Sequence, residues 1–263
     1  MRYLKLYGTY AKLSLMSKLV YKVNAIVGIV AFLFAEATSL FTLYFLVRSV
    51  PSIDGYSIYH IGLLFGLTNM AVGIDHLLTD RLWTVAYFEV KLGKLDHMFL
   101  RPLPILFQVI ASEIQLEALG EIIIATAMII FCGSQVEIVS NPGAILLVIL
   151  GILCAALIIA SFKILVASLA FKFKRSGPLL QFIYNFSGFT KYPLKIYPKI
   201  IQMILTFVIP LGLCLFYPFE NLFTPVDNPE AIAFGILGFT AVFSSICIFV
   251  WTKMVKMYES TGT

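Results

Sequence analysis

Six separate apolar windows dominate the 263-residue chain, and each is close to the run of about 20 residues that a membrane-crossing helix needs. They fall at roughly Asn24–Arg48, Ser57–Thr79, Pro104–Gly133, Gly143–Phe171, Pro198–Tyr217 and Glu230–Thr252. None shows the alternation of a barrel strand. A helix satisfies its own backbone inside a bilayer, so helices are the solution left. The reading is an all-α, polytopic membrane protein: a single transmembrane domain over 1–263 that crosses the bilayer six times. Charged residues make up 13% of the chain, about half of what a soluble domain of this size carries.

Met1–Lys22 interleaves Arg2, Lys5, Lys12, Lys18 and Lys22 with Tyr3, Leu4, Leu6, Tyr7, Tyr10, Leu13, Leu15 and Met16. That pattern is expected to form a basic amphipathic helix on the membrane surface, not a cleavable signal peptide; an irregular solvated tail is the plainer alternative. With the N-terminus placed inside, Lys and Arg collect on one face: Arg81, Lys91, Lys94 and Arg101, then Lys172, Lys174, Arg175, Lys191, Lys195 and Lys199, then Lys253 and Lys256. Arg48 is the cation expected outside and Lys163 lies within a span. This asymmetry predicts both termini in the cytoplasm and anionic lipid against the basic face. It argues against nucleic acid as the target of the net charge of +5.

External loops are short and mildly acidic, carrying Asp54, Glu137, Glu220 and Asp227. Two inner stretches are longer. Asp80–Leu103 holds an amphipathic segment that ends at Arg101-Pro102-Leu103-Pro104, where proline stops one helix and starts the next. Lys172–Tyr197 contains Pro178–Phe189, too short to span securely and expected to be an interfacial or half-buried helix. No internal repeat is visible. Cys132, Cys154, Cys214 and Cys247 lie in or at the ends of spans without metal or disulfide spacing.

Glu113, Glu117 and Glu121 recur at i, i+4 and i+8, so a continuous third span would place them on one face. Intramembrane acids are functional candidates by default. Lys163, in the antiparallel fourth span, falls at the depth of Glu113, and the two are expected to pair. Glu36 is a further lone acid in the first span. These groups either line packed helix contacts and a wet vestibule or belong to a polar substrate or ion path. Asp75, His76, His60 and His97 show no metal-ligand or catalytic spacing, and no metal site is expected. No GxxxxGK[ST] loop is present, so no nucleotide site or catalytic residue is expected in this chain.

At Gly93–Pro104, GKLDHMFLRPLP, the sequence resembles the permease subunits of type-2 ATP-binding-cassette (ABC) transporters, the small six-span bacterial group encoded beside a separate ATPase and often a second permease. TKYPLKIYP at Thr190–Pro198, LTFVIPLGLCLFYP at Leu205–Pro218 and YESTG at Tyr258–Gly262 agree with it in order. The departures are His97-Met98-Phe99, where plain aliphatics are commoner, and Thr190-Lys191, where an Ala-Arg-like pair is. The resemblance implies a coupling helix in the 80–103 loop, with Lys91, Lys94, Leu95, Asp96, Phe99, Leu100 and Arg101 docking on the ATPase. Leu95, Phe99 and Leu100 would be its apolar anchors. It implies that 1–22 is a connecting helix riding on the same ATPase, and that the second and fifth spans line the path. Pro198 and Pro210 become candidate hinges of the fifth span, and Phe216–Phe223 a short external re-entrant cap.

The expected partners are two copies of an ABC ATPase that carry ATP and magnesium, a second permease of the same or a sister chain, anionic lipid, and an amphipathic cargo such as a drug, peptide antibiotic, lipid or glycolipid. The expected site of action is the bacterial cytoplasmic (inner) membrane, with cargo exported. A gradient-driven transporter using the three glutamates as a carboxylate relay is the alternative, and a membrane scaffold without transport is a third option.

Overall fold

The structure, a computed structural model, describes residues 2–48, 55–138, 142–224 and 228–259. Asp54, Asp227 and the tail motif beyond Glu259 lie outside the described residues, as does the side chain of Arg48. The described chain is helical in nearly all its length, and five helices are long and apolar enough to cross a membrane. In order the helices are α1 (Arg2–Val20), α2 (Lys22–Arg48), α3 (Ile58–Thr79), α4 (Arg81–Thr84), α5 (Asp96–Phe99), α6 (Ile105–Ala111), α7 (Leu119–Gly133), α8 (Pro142–Phe173), α9 (Gly177–Ser187), α10 (Lys199–Met203), α11 (Leu211–Glu220) and α12 (Pro229–Met254).

α3 and α8 form the centre. α7 packs along α3, α12 and α11 along α8, and α2 leans on α7 at the periphery. Three apolar clusters follow one another down the bundle. One joins Leu63, Leu64, Ala144, Leu194 and Phe219. The middle one joins Val72, Ile158, Ile209, Cys214 and Ile236. The third joins Leu82, Leu95, Val109, Phe171, Leu180 and Trp251 at the end where Arg81, Lys91 and Lys172 gather. The four cysteines are free and buried, and they serve as small apolar residues.

Reading the chain through these clusters corrects the expected fifth span. From Leu180 in the basic-end cluster, the chain rises through Ile183 and Tyr184 in the middle one to Leu194 and Tyr197 at the far end. Residues 177–197 therefore run the length of the bundle, and α9 is not an interfacial helix. Gly177–Ser187 and the 3₁₀ turn Gly188–Lys191 together rise roughly 24 Å. Lys191 consequently sits at mid-depth and Lys195 at the far end, paired with Glu220, not on the basic face as expected.

The apolar stretch 198–217 does something else. Lys199–Val208 descends from the far end to Ile209 in the middle cluster, and α11 climbs back to Phe219, with a bend of 107° between them. Pro198 caps the start of the descending arm and Pro210 precedes the ascending one, where its missing N–H costs no helical bond. The pair is a hairpin entering halfway.

The third span is also not continuous. It breaks after Ala111 and resumes as a 3₁₀ turn at Leu116–Ala118 followed by α7. α2 closes tightly on the resumed part: a Cβ on Gly120 would lie 2.8 Å from the Ile29 carbonyl oxygen. On the other side, a Cβ on Gly151 would lie 2.1 Å from the Cys214 carbonyl oxygen, so α8 and α11 touch backbone to backbone. Gly120→Val is expected to cost about 1–3 kcal/mol through overpacking, lowering the melting temperature in detergent. Gly238→Ala, where a Cβ meets nothing within 4 Å, is expected to leave it unchanged.

Candidate functional site

One face of α3 carries a line of polar residues, and Glu36, Glu113, Glu117 and Glu121 are each placed by it or by α1. Lys163 points from α8 into the bundle with 1% of its side chain exposed. Its Nζ lies 2.6 Å from Asp75 Oδ2 and 3.1 Å from Asp80 Oδ1, and 5.9 Å above the Trp83 ring. Thr79 Oγ1 donates to Asp75 Oδ1 at 2.5 Å. The expected Glu113–Lys163 pair is therefore not formed. α3 lies directly against α8, and the break in the third span carries Glu113 away from it.

That break is held by α1. The Ile114 N–H donates to Ser14 Oγ at 3.0 Å, and the Gln115 N–H to the Leu77 carbonyl at 3.1 Å. Lys18 Nζ donates to Gln115 Oε1 and to Glu117 Oε2, both at 3.0 Å. Glu113 is 3.9 Å from the same ammonium and about a third exposed. Arg81 Nη1 donates to Ser112 Oγ at 2.6 Å. The three glutamates thus do not share one helix face. Glu113 stands in the break and Glu117 faces Lys18. Glu121, 3% exposed, faces His76 with 2.9 Å between Oε2 and Nδ1. A three-carboxylate relay along a single helix has no helix to carry it.

Above this level a cavity of about 500 Å³ opens between α2, α3, α7, α9 and the turn after α9. Glu36, Glu121, Tyr184 and Lys191 line it. Glu36 accepts a bond from Asn69 Nδ2 at 2.5 Å. His76 stacks on Tyr184 with ring centroids 5.5 Å apart. The Lys191 ammonium sits 4.6 Å from the Phe65 ring centroid. Glu36 and Glu121 are thus brought to one cavity, whereas Glu113, Glu117 and Lys163 are not among its lining.

The 80–103 stretch folds into a rigid turn at the basic end. Gly93 takes φ +65°, a left-handed conformation that suits glycine. α5 is one turn long, and Leu95 and Met98 are buried beneath it. Gln108 Nε2 stitches the turn to α6 by donating to the carbonyls of Met98 (2.9 Å) and Leu103 (3.0 Å). The Phe99 ring stacks on Tyr258 at 4.8 Å, and Tyr258 Oη donates to Asp96 Oδ1 at 2.5 Å. Burial first, and then this bond to Asp96, push the Tyr258 phenol above its ordinary pKa, so it keeps its proton. Arg101 Nη1 donates to Tyr10 Oη of α1 at 3.1 Å.

Leu95 is thus a core residue, not a surface anchor, because the glycine turn folds it inward. Lys91, Leu92, Lys94, Leu100 and Arg101 remain exposed, Leu100 at 87%. Sequence reasoning missed Asp75, Asp80, Asn69, Lys191 and Tyr258 as partners. The polar line on α3 and the tyrosine of the tail motif were the available signals.

A family model described as ABC-2 family transporter protein matches residues 16–262. No curated protein and no solved structure matches the chain.

Removing Lys163 alone strands the buried Asp75 carboxylate without its cation. Lys163→Met is expected to destabilise the protein by about 3–5 kcal/mol. Combining it with Asp75→Asn should recover part of that loss in a double-mutant cycle read by thermal unfolding in detergent. The same cycle with Glu113→Gln should show no coupling.

Proposed function

Because the chain belongs to the ABC-2 family of transporter proteins, we propose that it is the membrane-spanning half of an ATP-driven exporter that moves an amphipathic cargo out of the cytoplasm or inner leaflet. Two ATPase chains holding ATP and magnesium supply the work, and a second permease, a copy or a sister chain, completes the pathway. The chain crosses the bacterial cytoplasmic membrane six times with both termini inside. Residues 177–197 form the fifth crossing, and 199–220 a re-entrant hairpin from the outside. Anionic lipid faces the basic end.

The observation that carries this reading is mechanical continuity between the exposed turn and the cavity. Lys91, Leu92, Lys94, Leu100 and Arg101 present an apolar and cationic surface on a turn with a buried floor. The turn is bonded to α1 through Arg101–Tyr10, to α6 through Gln108 and to the C-terminal segment through Tyr258. It joins α3 through α4, and α3 walls the cavity with Phe65, Thr68 and Val72. Motion of an ATPase gripping this turn would pass along α3 to the cavity as a rigid-body shift between inward-open and outward-open arrangements. Pro198 and Pro210 mark the hairpin as a second place where such a shift could be absorbed.

The test is co-expression with the ATPase encoded beside it. The wild-type chain is expected to co-purify with that ATPase. Leu100→Glu together with Leu92→Glu should reduce co-purification and ATP turnover at least tenfold while leaving the melting temperature unchanged. A wild-type chain that never co-purifies, or a double variant that couples normally, would sink the proposal.

A further inference from the structure

The cavity wall carries a specific chemistry. Its four serine and threonine hydroxyls all give their protons to the backbone: Ser39 to the Ala35 carbonyl, Thr42 to Thr38, Thr68 to Leu64 and Thr190, and Ser187 to Tyr184. What those oxygens keep for a guest is lone pairs. Asn69, buried and not part of the lining, spends an amide proton on Glu36. Two carboxylates line this wall from neighbouring helices, Glu36 from α2 and Glu121 from α7. Glu36 has a neutral amide as its partner, and Glu121 an imidazole. Lys191 is the cationic side chain in the lining, and its ammonium is held over the Phe65 ring. By side-chain count the lining holds two carboxyl groups, Glu36 and Glu121, against one ammonium, Lys191. In a low-dielectric setting such an excess is a strong selector.

We infer that the cavity takes cargo bearing a cationic group, an amine or other onium on an apolar body, with Glu36 and Glu121 as its counter-charges. Tyr184 and Tyr192 supply aromatic wall on the side of α9 and its following turn. Aromatic faces attract cations, and more so where water is scarce. Val72 and Phe65 take the apolar body. Lys191 opposes the guest, so its ring-bound position sets how weakly the cargo is held and how readily it leaves. This reading rests on the chain being a transport permease, but its binding test does not involve the ATPase.

The full-length chain is reconstituted in nanodiscs of neutral lipid. Binding of tetraphenylphosphonium is compared with that of tetraphenylborate, a probe of nearly the same shape and opposite charge, each corrected by empty nanodiscs. The phosphonium is expected to bind saturably and at least tenfold more tightly. Glu36→Gln and Glu121→Gln should each weaken it about tenfold. Lys191→Gln should tighten it severalfold, a gain that a damaged fold cannot produce. Borate binding as tight as phosphonium binding, phosphonium binding indifferent to both glutamines, or saturable binding of neither probe would overturn the inference. Phosphonium that binds as expected but is not moved by the ATP-fuelled complex would instead count against the exporter reading and leave the site intact.

Discussion

The position of α3 depends on one buried ammonium. Lys163 is sealed inside the bundle, where an unpaired charge would cost several kcal/mol. Asp75 and Asp80 offset that cost only if the end of α3 lies against α8 in one register. Once α3 is pinned there, the rest of its polar face is aimed. His76 meets Glu121, Asn69 meets Glu36, and Thr68 meets the turn after α9. The cavity is thus a consequence of where the ion triad places α3. α3 itself walls it with Phe65, Thr68 and Val72, while Asn69 and His76 hold the two glutamates that line it.

The same helix leads directly into the exposed turn. Asp80, directly before α4, binds Lys163, and Arg81 beside it bonds Ser112 in the broken third span. Within two residues the chain therefore touches α8, α6 and the turn's own framework. A bundle wired this way transmits displacement better than it absorbs it, since packed interfaces shift between discrete arrangements and deform little. The sparser packing lies elsewhere, in α2, which touches its neighbours along one side.

Much of this was legible in the sequence. The windows for α2, α3, α8 and α12 were found within a few residues, because each is a long unbroken apolar run and hydropathy reads such runs directly. The run of the segment after α8 along the bundle was not. Residues 177–197 mix Gln181, Asn185, Lys191 and two prolines with their apolar residues, which breaks up any long apolar run. The stretch after Pro198 is more apolar, yet it turns back halfway. Composition records burial and is silent on direction. The break at Ser112–Gln115 has no proline or glycine to announce it, since its cause is an external ligand to the backbone, Ser14. The Glu113–Lys163 expectation failed for that reason. Equal depth on antiparallel neighbours is a pairing argument only when both helices are continuous. Glu36 and Glu121, in contrast, were visible as intramembrane acids and do meet at one cavity.

The break carries a further consequence, for biogenesis. An ordinary apolar helix enters a bilayer as an autonomous unit because all its amides are satisfied within itself. The third span cannot, for its Ile114 and Gln115 amides bond to Ser14 and Leu77. Both acceptors precede it in the chain, so synthesis delivers them first. α1 and α3, which carry those acceptors, are the surfaces on which the backbone of the third span is completed.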